Sequence, residues 1–402
     1  SKISRKAFEL AQNSLFSRLQ VVEFWMPQLT GQVNCNLKCG HCYVPQGGPK
    51  ENMSNNEYLM VLEKVLKYSA FDVDDVGKWD VVFPGMEPLL PRNLPLLKSL
   101  VEQSNKLGTR SIGLTTNGTL FKDNTLNWLI NSSVSNVNVS LDGTQDIHDL
   151  YRGKGNFNKT INGLKKLNSK KNSFLHTITN TTVSNTNSDA LYEVARVSSD
   201  IGCNYASFHP FETANNAKAT FKFQHKKIVS DIYSLINKWY TKPNSSISLE
   251  FEASTAGVFF QLFSLNLFND WELLSDDSDF MFLRKESNGH EFLVSLMFMP
   301  HHFVRTIRVN PDGGLSSCRQ MAMFGWESFG DLRVQSLEEI KNDPKVTKAL
   351  AFIWQEYLDS IANVDENVIG EYVSHLISGD INIQKINGAR RDCRISFENV
   401  DL

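Results

Sequence analysis

From about Gln28 to Phe211 the chain alternates strand-length apolar runs with helix-length amphipathic runs, joined by short connections. That rhythm restricts it to a parallel sheet covered by helices. Six units follow one another. Strand one lies near Gln28 to Val33; a helix at Asn55 to Tyr68, capped by Ser54, carries apolar Leu59, Val61, Leu62, Val65 and Leu66. Strand two is WDVVFPG, ending at Gly85, before the helix Leu94 to Leu107. Strand three, SIGLTTNG, precedes a helix around Leu126 to Ile130, and strand four, VNVSLDG, precedes one at Phe157 to Leu167. Strand five near Leu175 to Val183, the helix Ala190 to Ile201 and strand six, YASFHPF, complete the set.

Three of the six cysteines, Cys35, Cys39 and Cys42, crowd the loop after the first strand with C-x3-C-x2-C spacing. Iron–sulfur cubanes are normally held by four cysteines, so three thiolates with no fourth nearby leave one iron open for a ligand. A structural zinc would need a fourth Cys or His, and His41 sits awkwardly inside the loop to close a tetrahedron. Six cysteines in 402 residues are too sparse for a disulfide-stapled scaffold. The stretch Leu29 to Tyr43, LTGQVNCNLKCGHCY, closely resembles the cluster loop of the radical S-adenosylmethionine (SAM) superfamily. The resemblance implies a partial (β/α)6 TIM-like barrel, reactive at the C-terminal ends of its strands, and one 4Fe-4S cluster whose open iron chelates the amino and carboxylate groups of SAM.

The strand ends carry further marks of that resemblance. After strand two, PGMEPLLP places Gly85, Met86 and Glu87 where the family usually has a Gly-Gly-Glu-Pro turn receiving the methionine amino group; Met86 replaces the second glycine. Glu87 is the natural partner for an ammonium. Strand three ends in Thr115, Thr116 and Asn117 and strand four in Ser140, Leu141 and Asp142, with His148 and Arg152 following. These resemble ribose and carboxylate contacts: short polar side chains for hydroxyls, a forked guanidinium for a carboxylate. Asn-Gly and Asp-Gly also form turns, so their order on successive strands is the informative feature. His41 stands where the family often places an aromatic residue beside the adenine, and Tyr43 follows the third cysteine. The resemblance implies reductive cleavage of SAM to a 5′-deoxyadenosyl radical that removes a substrate hydrogen, with an electron donor such as flavodoxin or ferredoxin.

Lys plus Arg is 41 and Asp plus Glu 44, a net charge of about −3, so no global basic field attracts nucleic acid or anionic membranes. The longest apolar runs, such as Val258 to Phe263, fall short of the roughly 20 residues of a membrane span. Residues 1–27 read as a helical segment without a signal peptide's apolar core, and a cytoplasmic location is expected. Residues 28–213 form the expected core. Residues 214–303 are expected to be a helical substrate-side segment, with an amphipathic helix at His225 to Trp239 and an apolar helix at Phe259 to Leu274. Residues 304–402 complete an α+β extension.

Within it, IRVNPDGGLSSCRQ at Ile307 to Gln320 and SFGDLRVQSLEEI to Ile340 resemble the SPASM or twitch extension, but only Cys318 remains of its cysteines. Cys203, Cys318 and Cys393 are too few and scattered for an auxiliary cluster, so a single cluster is expected. Without an auxiliary electron outlet, redox-neutral outcomes such as epimerisation are favoured, with Cys318 and Cys393 as candidate hydrogen donors or, alternatively, inert thiols. The motif combination points to a peptide substrate, with an aminocyclitol, sugar or other small molecule as the rival. The acidic, aromatic segment Trp271 to Phe282 suits either. A noncatalytic binding protein is the third alternative, and no separate leader-binding domain is evident.

Overall fold

The computed structural model describes residues 2–16, 21–29, 33–44, 51–68, 79–211, 221–222, 224–241, 247–253, 270–276, 280–297, 306–316, 328–364 and 385–386. Helix α1 (Arg5–Ser14) is capped by the Ser4 hydroxyl, which accepts from Ala7 N–H at 3.1 Å. Strand β1 (Val21–Phe24) follows, and then strand and helix alternate. The run comprises α2 (Asn55–Lys67), β2 (Asp80–Phe83), α3 (Leu94–Lys106), β3 (Ser111–Thr116), α4 (Asp123–Asn131) and β4 (Asn136–Ser140). After β4 come α5 (Gln145–Arg152), α6 (Asn156–Lys170), β5 (His176–Val183), α7 (Leu191–Asp200) and β6 (Tyr205–Pro210).

The first strand therefore lies seven residues earlier than Gln28, inside the segment expected to be helical. Val22, Phe24 and Trp25 are fully buried, and Pro27 follows at once. Gln28 instead has its backbone bracketed by Asn52, whose Oδ1 accepts from Gln28 N–H at 2.8 Å and whose Nδ2 donates to Gln28 O at 2.7 Å. Helix α2 begins on a reciprocal capping box between Ser54 and Glu57 and buries Tyr58, Val61, Leu62, Val65 and Leu66.

The segment after β6 is mostly strand where it is described. Helix α8 (His225–Thr241) buries Ile228, Ile232, Leu235 and Ile236 as its periodicity predicts. Strands β7 (Ser248–Ala253), β8 (Glu272–Asp276), β9 (Phe280–Ser287) and β10 (His290–Met297) then replace the expected helices. Ile247, just before β7, and Leu249 and Phe251 within it are buried and alternate with Ser248, Glu250 and Glu252, the two-residue period of a strand. Asn288 (φ 53°) and Gly289 (φ 76°) turn β9 into β10, the two left-handed residues a tight hairpin needs. Most of Phe259 to Leu274 lies outside the described residues, and its last three form part of β8.

Strands β11 (Thr306–Val309), β12 (Gly314–Ser316) and β13 (Gly330–Asp331), then α9 (Leu337–Lys341), α10 (Pro344–Ile361), β14 (Ala362–Val364) and β15 (Lys385–Ile386), complete the chain. A 13-stranded sheet runs β13-β12-β11-β1-β2-β3-β4-β5-β6-β7-β10-β9-β8. Every adjacent pair from β11 to β10 is parallel. This is the mixed α/β sheet of a partial TIM-like barrel, with the C-terminal region adding its strand beside β1.

Alternation sorts the two faces. In β5, Thr177, Thr179, Thr181 and Val183 are buried, and Thr179 Oγ1 meets Ser198 of α7 at 2.7 Å, so this set faces the helices. The opposite face is polar. Across it Thr115 registers beside Asn138, while Ser140, Asn180, Ser207 and Glu250 follow strand by strand.

Candidate active site

The loop after β1 is folded by side chains. Asn34 is buried; its N–H donates to Gln28 Oε1 at 2.6 Å, its Nδ2 donates to Asn93 Oδ1 at 3.0 Å, and its carbonyl accepts from Glu87 N–H at 3.2 Å. One asparagine thus ties the cysteine loop to the turn after β2 and to the start of α3. Gly40 N–H donates to Tyr151 O at 2.9 Å, anchoring the loop's far side on α5.

Cys35, Cys39 and Cys42 are half-buried free thiols on this loop. Burial pushes Cys35 up to about 12, assisted by the nearby Glu87 charge, and Cys42 up to about 11. Burial raises Cys39 as well, against the pull of Arg152. Such thiols stay protonated until a metal takes their protons. Donors already surround the sulfurs. Leu37 N–H lies 3.4 Å from Cys35 Sγ, Asn117 Nδ2 3.8 Å from the same atom, and Arg152 Nη1 3.9 Å from Cys39 Sγ. Three partly exposed thiols ringed by N–H donors suit the ligands of an iron–sulfur cluster. Among the described residues no three His, Cys, Asp or Glu side chains are grouped to hold a single ion, whereas a cubane spreads its thiolates over separate irons. His41 turns its Nε2 toward Arg152 and Asp142, 3.3 Å from Arg152 Nη2 and 3.6 Å from Asp142 Oδ2.

The turn after β2 presses on the same loop. Met86 adopts φ 62°, a left-handed conformation costing an L-residue about 1–2 kcal/mol, in the slot where the resembled motif carries glycine. Its side chain packs against the buried Trp25 and Val44, as do Val33, Cys42 and Tyr43 of the cysteine loop. Gly85 is fixed by contact: a Cβ there would come within 2.3 Å of the Trp25 ring. Gly85→Ala is therefore expected to lower stability by about 1–3 kcal/mol through overpacking, read as a reduced urea midpoint. An unchanged midpoint would show that the indole can turn aside.

Glu87 is fully buried, and its oxygens accept from Leu89 N–H at 3.0 Å, Thr116 Oγ1 at 2.8 Å and Asn117 N–H at 2.9 Å. Burial pushes its carboxyl up to about 7 against these donors. Where an ammonium partner was expected, the side chain braces the β2 turn against the end of β3. Thr115 stands half-buried on the inner face beside Asn138; Asn117 donates to Asn36 Oδ1 at 2.9 Å and so fixes the cysteine loop.

A second brace comes from β4. Asp142 is fully buried; its Oδ2 accepts from Arg152 Nε and its Oδ1 from Thr182 N–H at 3.0 Å. Its N–H donates to His148 Nδ1 at 3.2 Å, and its carbonyl accepts from Asn187 Nδ2 at 2.8 Å. Burial, the largest single influence, raises Asp142, but the Arg152 charge and hydrogen bond together with the neighbouring His41 and His148 hold the carboxyl well below its usual range. Burial pulls both His41 and His148 down to about 4, so each is a neutral imidazole at pH 7. Arg152, expected to take a ligand carboxylate, instead spreads its three nitrogens over Asp142, Cys39 and His41. Ser140 ends β4 beside Asn180, His41 tilts on Tyr151 with centroids 4.9 Å apart, and Tyr43 meets Trp25 edge-on at 6.1 Å.

The sequence-derived positions Cys35, Cys39, Cys42, His41, Tyr43, Gly85, Met86, Glu87, Asn117, Asp142 and Arg152 thus converge at the C-terminal mouth of β1 to β4. Cys318 and Cys393 lie outside the described residues. Sequence reading missed Trp25, Asn34, Asn93, Thr182 and Asn187, all of which hold this site without bearing its chemistry. Trp25 directly after an apolar strand was the available signal.

Residues 29–197 match the family model described as Radical SAM superfamily. The sporulation killing factor maturation protein SkfB of Bacillus subtilis is 27% identical over 192 residues, 47% of this chain and 43% of that protein. Fe-coproporphyrin III synthase of Methanosarcina barkeri is 34% identical over 131 residues, 32% of this chain and 30% of that protein. The chain thus spans less than half the length of these curated relatives. A crystal structure of Streptococcus suis SuiB superposes with a TM-score of 0.63 at 14% identity, covering 96% of this chain and 81% of SuiB, a likeness of fold. No described helix is long and apolar enough to cross a membrane. The family match, residues 29–197, thus lies over the braced three-cysteine loop and the β2 to β4 strand ends.

Proposed function

We propose that the chain is a radical SAM enzyme that abstracts hydrogen from a peptide substrate. The observation that carries the reading is the convergence of Cys35, Cys39 and Cys42 with the Gly85–Glu87 turn, Asn117 and Arg152 at one mouth of a parallel sheet. Cys35, Cys39 and Cys42 would hold one 4Fe-4S cluster. When bound, cluster and SAM together supply a one-electron cleavage yielding a 5′-deoxyadenosyl radical.

The chain's own groups shape the space around them. The backbone carbonyls of Gly85 and Met86 suit the methionine ammonium, since Glu87 is committed to its brace. Thr115 and Ser140 on the inner strand face suit ribose hydroxyls, while His41 and Tyr43 offer ring faces to the adenine. Asp142 and Arg152 keep the loop's register, with Arg152 donating toward Cys39. The polar inner wall through Asn138, Asn180, Ser207 and Glu250 suits the amide groups of a peptide. The maturation role in SkfB's name supports the peptide reading; the 34% identity to Fe-coproporphyrin III synthase supports a small molecule as the second.

Anaerobic reconstitution with iron, sulfide and dithionite, followed by chromatography for 5′-deoxyadenosine, tests the core proposal. Cleavage of SAM is the expected result, and none above the enzyme-free rate overturns it. Redox-neutral epimerisation is the net reaction proposed, with an electron donor of flavodoxin or ferredoxin type and with Cys318 or Cys393 returning the hydrogen. Turnover in deuterated water should then label one product carbon. Label persisting in the Cys318→Ala, Cys393→Ala double variant would remove both thiols as donors.

A further inference from the structure

Deeper in the sheet, one level below the cysteine loop, β1 and β11 carry a charged pair on the inner face. Glu23 registers beside Arg308 on one side and beside half-buried Val82 on the other. Arg308 is fully buried; its Nε donates to Glu23 Oε2 at 2.6 Å and its Nη2 to the same oxygen. The guanidinium carbon lies 5.8 Å from the Trp25 ring centroid. The third nitrogen, Nη1, is buried with no hydrogen-bond partner.

Asn310 stands two residues on. It prolongs the β11–β12 ladder, its N–H donating to Gly314 O at 2.8 Å, and the two-residue step puts it on the same strand face as Arg308. Its Oδ1 accepts from Ser316 Oγ at 3.0 Å, which fixes the amide and leaves Nδ2 as the free end. Nδ2 is likewise buried without a partner, and Asn310 is fully buried. A buried donor left unpaired costs about 1–3 kcal/mol, so two on one strand face call for an acceptor.

We propose that Arg308 and Asn310 form a subsite for a carbonyl oxygen of the substrate. Both side chains are held before any ligand arrives, Arg308 by Glu23 and Trp25, Asn310 by Ser316, so the donors are preorganised. The charge balance selects the ligand. Glu23 neutralises Arg308, and a second carboxylate beside Glu23 would leave an uncompensated negative charge in a dry interior, whereas an amide carbonyl adds none. The position fits a substrate anchor, because the Trp25 ring that Arg308 faces is the ring against which Gly85 is pressed. One indole therefore separates this subsite from the turn assigned to SAM. The inference rests on the peptide reading above and names the substrate group that the inner face would grip.

The test needs no turnover, which keeps its failure separate from failure of the peptide reading, judged by product formation. The reconstituted full chain labelled with 15N-arginine is titrated with N-acetylglycinamide, a neutral peptide unit, and in parallel with N-acetylglycine, which carries a carboxylate. Arg308→Lys, which keeps a cation for Glu23, identifies the Arg308 side-chain resonance. Saturable movement of that resonance by N-acetylglycinamide is expected, with at least tenfold weaker binding of N-acetylglycine. Asn310→Asp keeps the Ser316 hydrogen bond but replaces the Nδ2 donor by an acceptor, and should weaken N-acetylglycinamide at least tenfold. No movement, equal binding of both probes, or unchanged binding in Asn310→Asp would each overturn the proposal and leave the two donors to water.

Discussion

Cys39→Ala is expected to abolish both the charge-transfer absorption of the reconstituted cluster and all 5′-deoxyadenosine formation above the enzyme-free rate. The reason is arithmetic as well as chemical: a loop with three thiolates has none to spare, and losing one opens a second iron. Cys39 is also the cysteine facing Arg152, so its loss removes one contact between the loop and the β4 brace, while the His41 contacts to Arg152 and Asp142 remain. The side chain is only half-buried, and a change there should leave the apoprotein's stability within about 1 kcal/mol of the parent. Circular dichroism and a urea titration of the apoprotein separate the two effects. A variant that still binds a stable cluster and cleaves SAM would sink the assignment of Cys39 as a ligand.

Asp142→Ala should produce the largest loss of stability, about 3–5 kcal/mol, because it leaves the Arg152 guanidinium buried without its counter-charge. Thr182 N–H would lose its acceptor as well. Asp142→Asn, which preserves shape, gives the pH signature. The folded carboxyl is held well below its ordinary value of 3.8, so its contribution is fully present above that value and disappears as pH falls through the folded one. The parent should therefore lose more stability than Asp142→Asn between pH 7 and the acid limb below about pH 4, a difference measured by urea midpoints at each pH. Equal acid slopes would mean that the pair contributes nothing.

Most of the site was legible because it sits where strands end in short polar runs. Thr115 to Asn117 and Ser140 to Asp142 stand at the C-terminal ends of β3 and β4, where a parallel sheet presents its loops. What those residues do was not legible. Glu87 and Arg152 read as free ligand groups in one dimension; in three, Glu87 is consumed by Thr116 and two N–H donors, and Arg152 by Asp142, His41 and Cys39. The Asn288-Gly289 turn was a local signal left unused, and it alone indicates the β9–β10 hairpin where helices were expected.

Local physics settled the β/α alternation from α2 to β6 and the grouping of three cysteines, since periodicity and spacing are properties of neighbours along the chain. The first strand's true position, the joining of β11 to β1 and the Glu23–Arg308 pair depend on residues up to 285 positions apart. Only the folded sheet brings those together, because burial and charge pairing are decided by what arrives from elsewhere in the chain.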